Sequence, residues 1–227
     1  MQYKVLKKGT IFDNRAQIRK LLDMEAVDIT FEEFVDRYAD LVCRTSLRIL
    51  CDRGDSEYVS MQVFSSLWHG PEHYSSDDNT ELILLEKTCH FCRIRIARRS
   101  ILKIFGVAGD VYVNVAPKVE DVDDYKTKMA WELHCIAVER MTVLQASAYA
   151  LCVIGNVSED AAARILGVSA SKVSGAVKDA GDKIKELLAD YGKDYEYERY
   201  VGFIRRVADG LTDMDMLKKM IIFAAEN

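Results

Sequence analysis

The chain has 227 residues, 49% hydrophobic and 30% charged, a composition that supplies real cores and excludes a disordered chain. Its formal net charge of −5 excludes a global electrostatic pull on nucleic acid, so any such attraction must come from local segments. No apolar run approaches the roughly 18 residues of a membrane span, and the opening MQYKVLKKGT lacks a signal peptide's apolar stretch, so a cytoplasmic protein without membrane insertion is expected.

Only two prolines, Pro71 and Pro117, and scattered glycines favour long helices with short connections, hence an all-α fold. After an N-terminal extension (1–30), FEEFVDRYADLVCRTSLRILCD (31–52) sets Phe31, Phe34, Val35, Tyr38, Leu41 and Val42 on one helical face. Thr30 is placed as its N-cap, with Glu33 three residues on to complete a capping box. A second helix in SEYVSMQVFSSLWHG aligns Val59, Val63 and Leu67 beside Phe64 and Trp68, and Gly70-Pro71 ends it. A third runs from about Glu81 to Lys103, although RIRIARR within it alternates as a strand would.

Cys89 and Cys92 form the one CxxC, with His90 between them. A zinc site would need two further ligands, with His90, His134 and Cys135 the nearest candidates, so two core thiols one helical turn apart are expected and no metal or cofactor is assigned. His69, Glu72 and His73 surround the Gly70-Pro71 turn and read as surface. No nucleophile elbow, P-loop, HExxH or Gly-rich dinucleotide fingerprint occurs, and an enzyme is not expected.

Residues 106–124, GVAGDVYVNVAPKVEDVDD, carry Pro117 and the acids Glu120, Asp121, Asp123 and Asp124. They read as a solvated, self-repelling linker, in which VYVNV could form a short strand. A second helical group (125–192) follows, then a tail (193–227). One tail face carries Tyr200, Ile204, Val207 and Leu211, and another carries Leu217, Met220, Ile221 and Ala224, with a hinge near Gly210. Those faces need a covering, either the second helical group itself or a partner.

Within the second group, Ser158 caps EDAAARIL, Gly167 supplies a tight left-handed turn, and Ser169 caps a second helix carrying Val173, Val177, Ile184 and Leu188. Cap, apolar helix, glycine and cap in this order predict a helix-turn-helix, the alternative being an αα-hairpin without DNA contact.

DRGDSEYVSMQVFSSLW (52–68), the basic helix after it, the acidic linker and VSEDAAARILGVSASKVSGAVKDAGDKIKELL (157–188) together resemble bacterial RNA polymerase sigma factors of the small, two-domain extracytoplasmic-function group. The resemblance covers about 31–103 and 137–190. It implies two helical domains: a region 2-like bundle (31–105) that docks on core RNA polymerase and melts the −10 element, and a region 4-like helix-turn-helix (125–192) that reads the −35 element. It also implies promoter DNA and an anti-sigma protein as partners.

Asp55 and Glu57 match acidic positions of the family's polymerase-facing helix, and with Gln62 they are the expected docking residues; Tyr58 and Met61-Gln62 depart from its usual aspartate and glutamine-glutamate. From Lys87 to Gly109 no acid occurs among six basic residues, and Arg95, Arg99 and Lys103, with Arg98 beside them, form the expected DNA-facing stripe. Phe91 is the one aromatic residue between Lys87 and Lys103.

The candidate −35 readers are Ser169, Ser171, Lys172, Ser174, Gly175 and Lys178. From Ser169 to Asp190, four lysines face four acids, and positions that are basic in the family are Ser174, Ala176, Asp179 and Gly181 here. Little phosphate attraction remains in that helix. Two readings follow: a divergent sigma factor that directs polymerase to promoters, or a sigma-like regulator acting mainly through protein contacts with weak or no DNA binding.

Overall fold

Thr30 begins the first helix as the spacing predicts. Its hydroxyl accepts from Glu33 N at 3.2 Å, and the Glu33 carboxylate accepts from Thr30 N at 2.9 Å. The computed structural model describes residues 27–68, 74–76, 79–104, 125–190, 196–210 and 213–226. It shows α1 (Phe31–Leu50), α2 (Arg53–Ser65), α3 (Thr80–Ile104), α4 (Tyr125–Glu139), α5 (Val143–Tyr149), α6 (Glu159–Leu166), α7 (Ala170–Ala189), α8 (Tyr197–Gly210) and α9 (Met214–Glu226). The fold is mostly helical, and among the described residues no helix is long and apolar enough to cross a membrane.

The third helix runs as expected, with RIRIARR helical throughout inside α3. Two features differ from expectation. The second helix starts earlier than the apolar pattern suggests, because Asp52 Oδ1 accepts from Asp55 N at 2.8 Å and caps it ahead of Arg53. Two short strands, β1 (Val27–Ile29) and β2 (Tyr74–Ser76), pair antiparallel with Val27 opposite Ser76, a pairing that three-residue segments give no periodicity to announce. The linker with its VYVNV segment, and the histidines His69 and His73, lie outside the described residues.

Small side chains let α1 and α2 approach closely. The Ser46 and Ser56 hydroxyls are 2.7 Å apart and reach the Cys43 carbonyl at 2.9 and 2.8 Å, so these buried polar atoms are partnered. Around them Phe34, Val35, Val42, Val59, Val63 and Phe64 close an apolar core with α3. Cys89 and Cys92 belong to that core, and burial pushes the Cys89 thiol up to about 12, which makes it an inert packing group.

The same core continues into the second helical group through Leu151, Ala162, Ile165 and Val173, so the two groups meet over apolar surface. A second cluster joins Leu47 of α1 to Trp131 and Leu133 of α4, Ile184 of α7, and Tyr200 and Ile204 of α8. The tail therefore finds its covering within the chain. Its α8 packs on α4, while α9 returns to α1 and α2, burying Leu217 and Ile221 and pairing Lys218 Nζ with Asp36 Oδ1 at 3.0 Å. Of the predicted α9 face, Met220 is half-buried and Ala224 exposed.

After α5 the helix widens into a π-helical turn, Ala150–Ile154, and ends at Gly155, whose N–H donates to Ala150 O at 2.9 Å. A Cβ at Gly155 would stand 2.9 Å from Leu151 O, so glycine is required by close backbone approach. Arg205 of α8 donates to the freed carbonyls of Val153 at 2.7 Å and Ile154 at 3.0 Å.

His134, 1% exposed, links three helices. Its Nε2 donates to the Arg48 carbonyl of α1 at 3.0 Å, and its Nδ1 accepts from the Tyr200 hydroxyl of α8 at 2.8 Å. This arrangement uses the neutral ring, and burial lowers the His134 pKa from 6.5 to about 4. Because the folded value lies below the unfolded one, the stabilisation is fully present above pH 6.5 and is lost as pH falls towards 4. Across that window the wild type should lose about 3 kcal/mol more than His134→Gln, measured by urea unfolding at each pH.

Candidate nucleic-acid interface

The two helices and the tight turn between them form where the punctuation places them. Ser158 Oγ accepts from Ala161 N at 3.3 Å and starts α6. Gly167 then takes φ 67°, and the Val168 N–H donates to Ala163 O at 3.1 Å, which closes the tight turn. Ser169 Oγ accepts from Lys172 N at 3.4 Å and starts α7. Ala162, Ala163 and Ile165 of α6 are buried, as are Val173, Ala176 and Ala180 of α7.

That packing turns the opposite face of α7 to solvent. Ser169, Ser171, Lys172, Ser174, Gly175 and Lys178 are all exposed, and a Cβ built at Gly175 would meet nothing within 4 Å beyond its chain neighbours and the backbone of its own helix. The face is small-featured, with Lys172 and Lys178 its cations. Asp179 is also exposed but accepts from Gln145 Nε2 of α5 at 3.3 Å, which draws its carboxylate to one side. Lys183 is used within the fold, donating to Arg140 O at 2.8 Å and Gln145 Oε1 at 2.9 Å.

The expected cationic stripe on α3 has a different arrangement from an open one. Arg95 Nε donates to Asp55 Oδ1 at 2.6 Å, and its guanidinium also lies 5.0 Å from the Tyr58 ring centroid. Arg99 pairs with the other Asp55 oxygen and with Asp52 Oδ2 at 3.4 Å, and donates to Leu50 O at 3.3 Å. Two guanidiniums from successive turns of α3 thus enclose one carboxylate at the start of α2. Arg98 is exposed and has no ion pair among the described residues, whereas the side chain of Lys103 lies outside them.

The same geometry revises the docking acids. Asp55, 5% exposed, is turned inward to Arg95 and Arg99 and is not presented to a partner. Glu57 Oε1 accepts from Arg53 Nε at 2.7 Å, one turn away, and Gln62 is half-buried. Phe91 and Trp68 both pack against the core, Trp68 edge-on to Phe31 at 4.6 Å, so neither is a free stacking platform for bases.

Sequence reading missed Asp52 and Tyr58 as members of this cluster. Asp52 is legible as a cap, but its pairing with an arginine 47 positions later carries no local signal. Tyr58, read as a lost acid, gives Arg95 an aromatic face instead.

Removing one partner of a buried ion pair costs about 3–5 kcal/mol, a figure reduced here because the Arg95 and Arg99 side chains are 30% and 23% exposed. Asp55→Ala should therefore lower stability by about 2–3 kcal/mol in urea unfolding. In a fluorescence-anisotropy titration with duplex DNA, the same variant should bind more tightly and with a steeper salt dependence, because Arg95 loses its carboxylate and Arg99 keeps only the longer contact with Asp52. No protein-family model matches the sequence, and no curated protein matches it.

Proposed function

We propose that this chain is a divergent sigma-factor-like transcription initiation protein that binds core RNA polymerase and directs it to a small set of promoters. The observation that carries the reading is the solvent face of α7: a capped helix-turn-helix whose Ser171, Lys172, Ser174, Gly175 and Lys178 stand clear of the core. Small side chains let the α7 backbone approach a duplex closely, and the two lysines can reach phosphate or guanine. The helical group α1–α3 ahead of it stands in the order that the resemblance to sigma factors implies, with Glu57 and Gln62 of α2 as the remaining candidate polymerase contacts.

A specific observation supports a second reading, a sigma-like regulator acting mainly through protein contacts. The guanidiniums that would attract the promoter strand, Arg95 and Arg99, are engaged by Asp52 and Asp55. In that reading α7 keeps the form of a DNA reader, and recognition lies in protein surfaces.

Pull-down of core RNA polymerase at moderate salt, with this chain as bait, separates the two. Stoichiometric recovery is expected; no recovery by the folded chain would transfer the assignment to the second reading. At Gly175, an exposed glycine inside a helix, alanine should stabilise the fold by about 0.5–1 kcal/mol. Gly175→Ala should nonetheless weaken promoter-duplex binding in anisotropy, since its methyl group blocks close backbone approach; unchanged affinity would remove Gly175 from the interface.

A further inference from the structure

Between α3, α5 and α6 lies a groove of about 590 Å³ that also borders the helix-turn-helix turn at Gly167 and Val168. Its volume falls in the range of small-molecule sites, about 300–1,000 Å³. Val143, Leu144, Ile165, Leu166 and Val168 give it apolar walls. Its charged lining is one-sided: Lys87, Arg93 and Arg164 against the single acid Glu86. The sequence shows none of this, because Arg93 and Arg164 are 71 positions apart and only the packing of α6 on α3 brings both to one groove.

The state of those cations points to a ligand. Arg95 and Arg99, on the same helix as Arg93, are consumed by carboxylates, whereas neither Arg93 nor Arg164 has an ion pair among the described residues. Arg93 Nη2 donates to His90 Nδ1 at 3.3 Å, an orientation held by a neutral acceptor that leaves the cation's charge uncompensated. Lys87 is engaged with Ser66 Oγ at 3.1 Å, so the two arginines are the groups available for an incoming anion. An exposed arginine on an open surface needs no partner. Two arginines on the rim of one apolar-walled groove are matched by a molecule with an anionic head and an apolar body.

We propose that this groove binds an amphipathic anion, its carboxylate or phosphate head held by Arg93 and Arg164 and its apolar body lying against Leu144, Ile165 and Val168. Binding requires no nucleic acid or polymerase. Because the site is built from α3 of the first helical group and α6 of the helix-turn-helix, an occupant adds contacts across their junction and favours the arrangement in which α6 is packed on α3.

The test is a fluorescence titration of the full chain with anilinonaphthalene sulfonate, an amphipathic anion that brightens in apolar surroundings, followed by displacement with octanoate, hexyl phosphate or neutral octanol. One saturable site is expected, displaced by at least one of the two anions and not by octanol; the more effective anion identifies the head group. Arg93→Gln and Arg164→Gln should each weaken binding by about tenfold, the loss of one charge-assisted contact. The unfolding midpoint should not move, since both side chains are exposed. Arg199→Gln, on α8 and 63% exposed, should bind as the wild type does. Absence of saturable binding, displacement by octanol or by neither anion, or wild-type affinity in either groove variant would overturn the proposal.

Discussion

One carboxylate sets the geometry of the first helical group. Asp55 sits in the first turn of α2, where the helix N-terminus already favours negative charge, and α3 crosses so that Arg95 and Arg99 both reach it. A buried charge tolerates little displacement of its partners. The crossing of α2 and α3 is therefore fixed electrostatically as well as by the surrounding apolar side chains. The same contact decides what the surface offers, since guanidiniums committed to the fold are not free for phosphates. Stability and nucleic-acid attraction draw on the same two side chains, and here the fold holds them.

What could be read from the sequence was what acts within a few residues. Thr30 with Glu33, Ser158, Gly167 and Ser169 each bond to groups three or four positions away, so their roles follow from spacing alone. RIRIARR was ambiguous because half-buried Ile94 and Ile96 alternate there with the exposed Arg93 and the ion-paired Arg95, and a helix lodged between two packed neighbours loses its one-sided pattern. The carboxylate partners of Arg95 and Arg99 lie 40 to 47 positions earlier, a distance over which composition says nothing about pairing. The candidate residues of α7 were legible as an exposed face because its buried positions repeat at helical spacing. The acids of α2 were not, since burial of Asp55 depends on where α3 crosses.

The tail shows the same limit. Its two apolar faces were evident, but not that they part company: α8 completes the cluster around α4, while α9 crosses back to α1 and α2. With the shared core at Leu151 and Ile165, this interleaving makes each helical group partly dependent on segments from the other end of the chain. The pair α6 and α7 is held from behind by α3 and α5, which leaves the outer side of α7 exposed.

His134 joins α1, α4 and α8 through uncharged hydrogen bonds deep inside the molecule. Mobile ions screen interactions between exposed charges and barely touch neutral contacts in the interior. The junction should thus hold its geometry from dilute buffer to molar salt, while the rim arginines and the lysines of α7 lose their reach. Ionic strength then acts on this protein as a selective dimmer of its charged contacts, and a response to salt does not originate in the His134 junction.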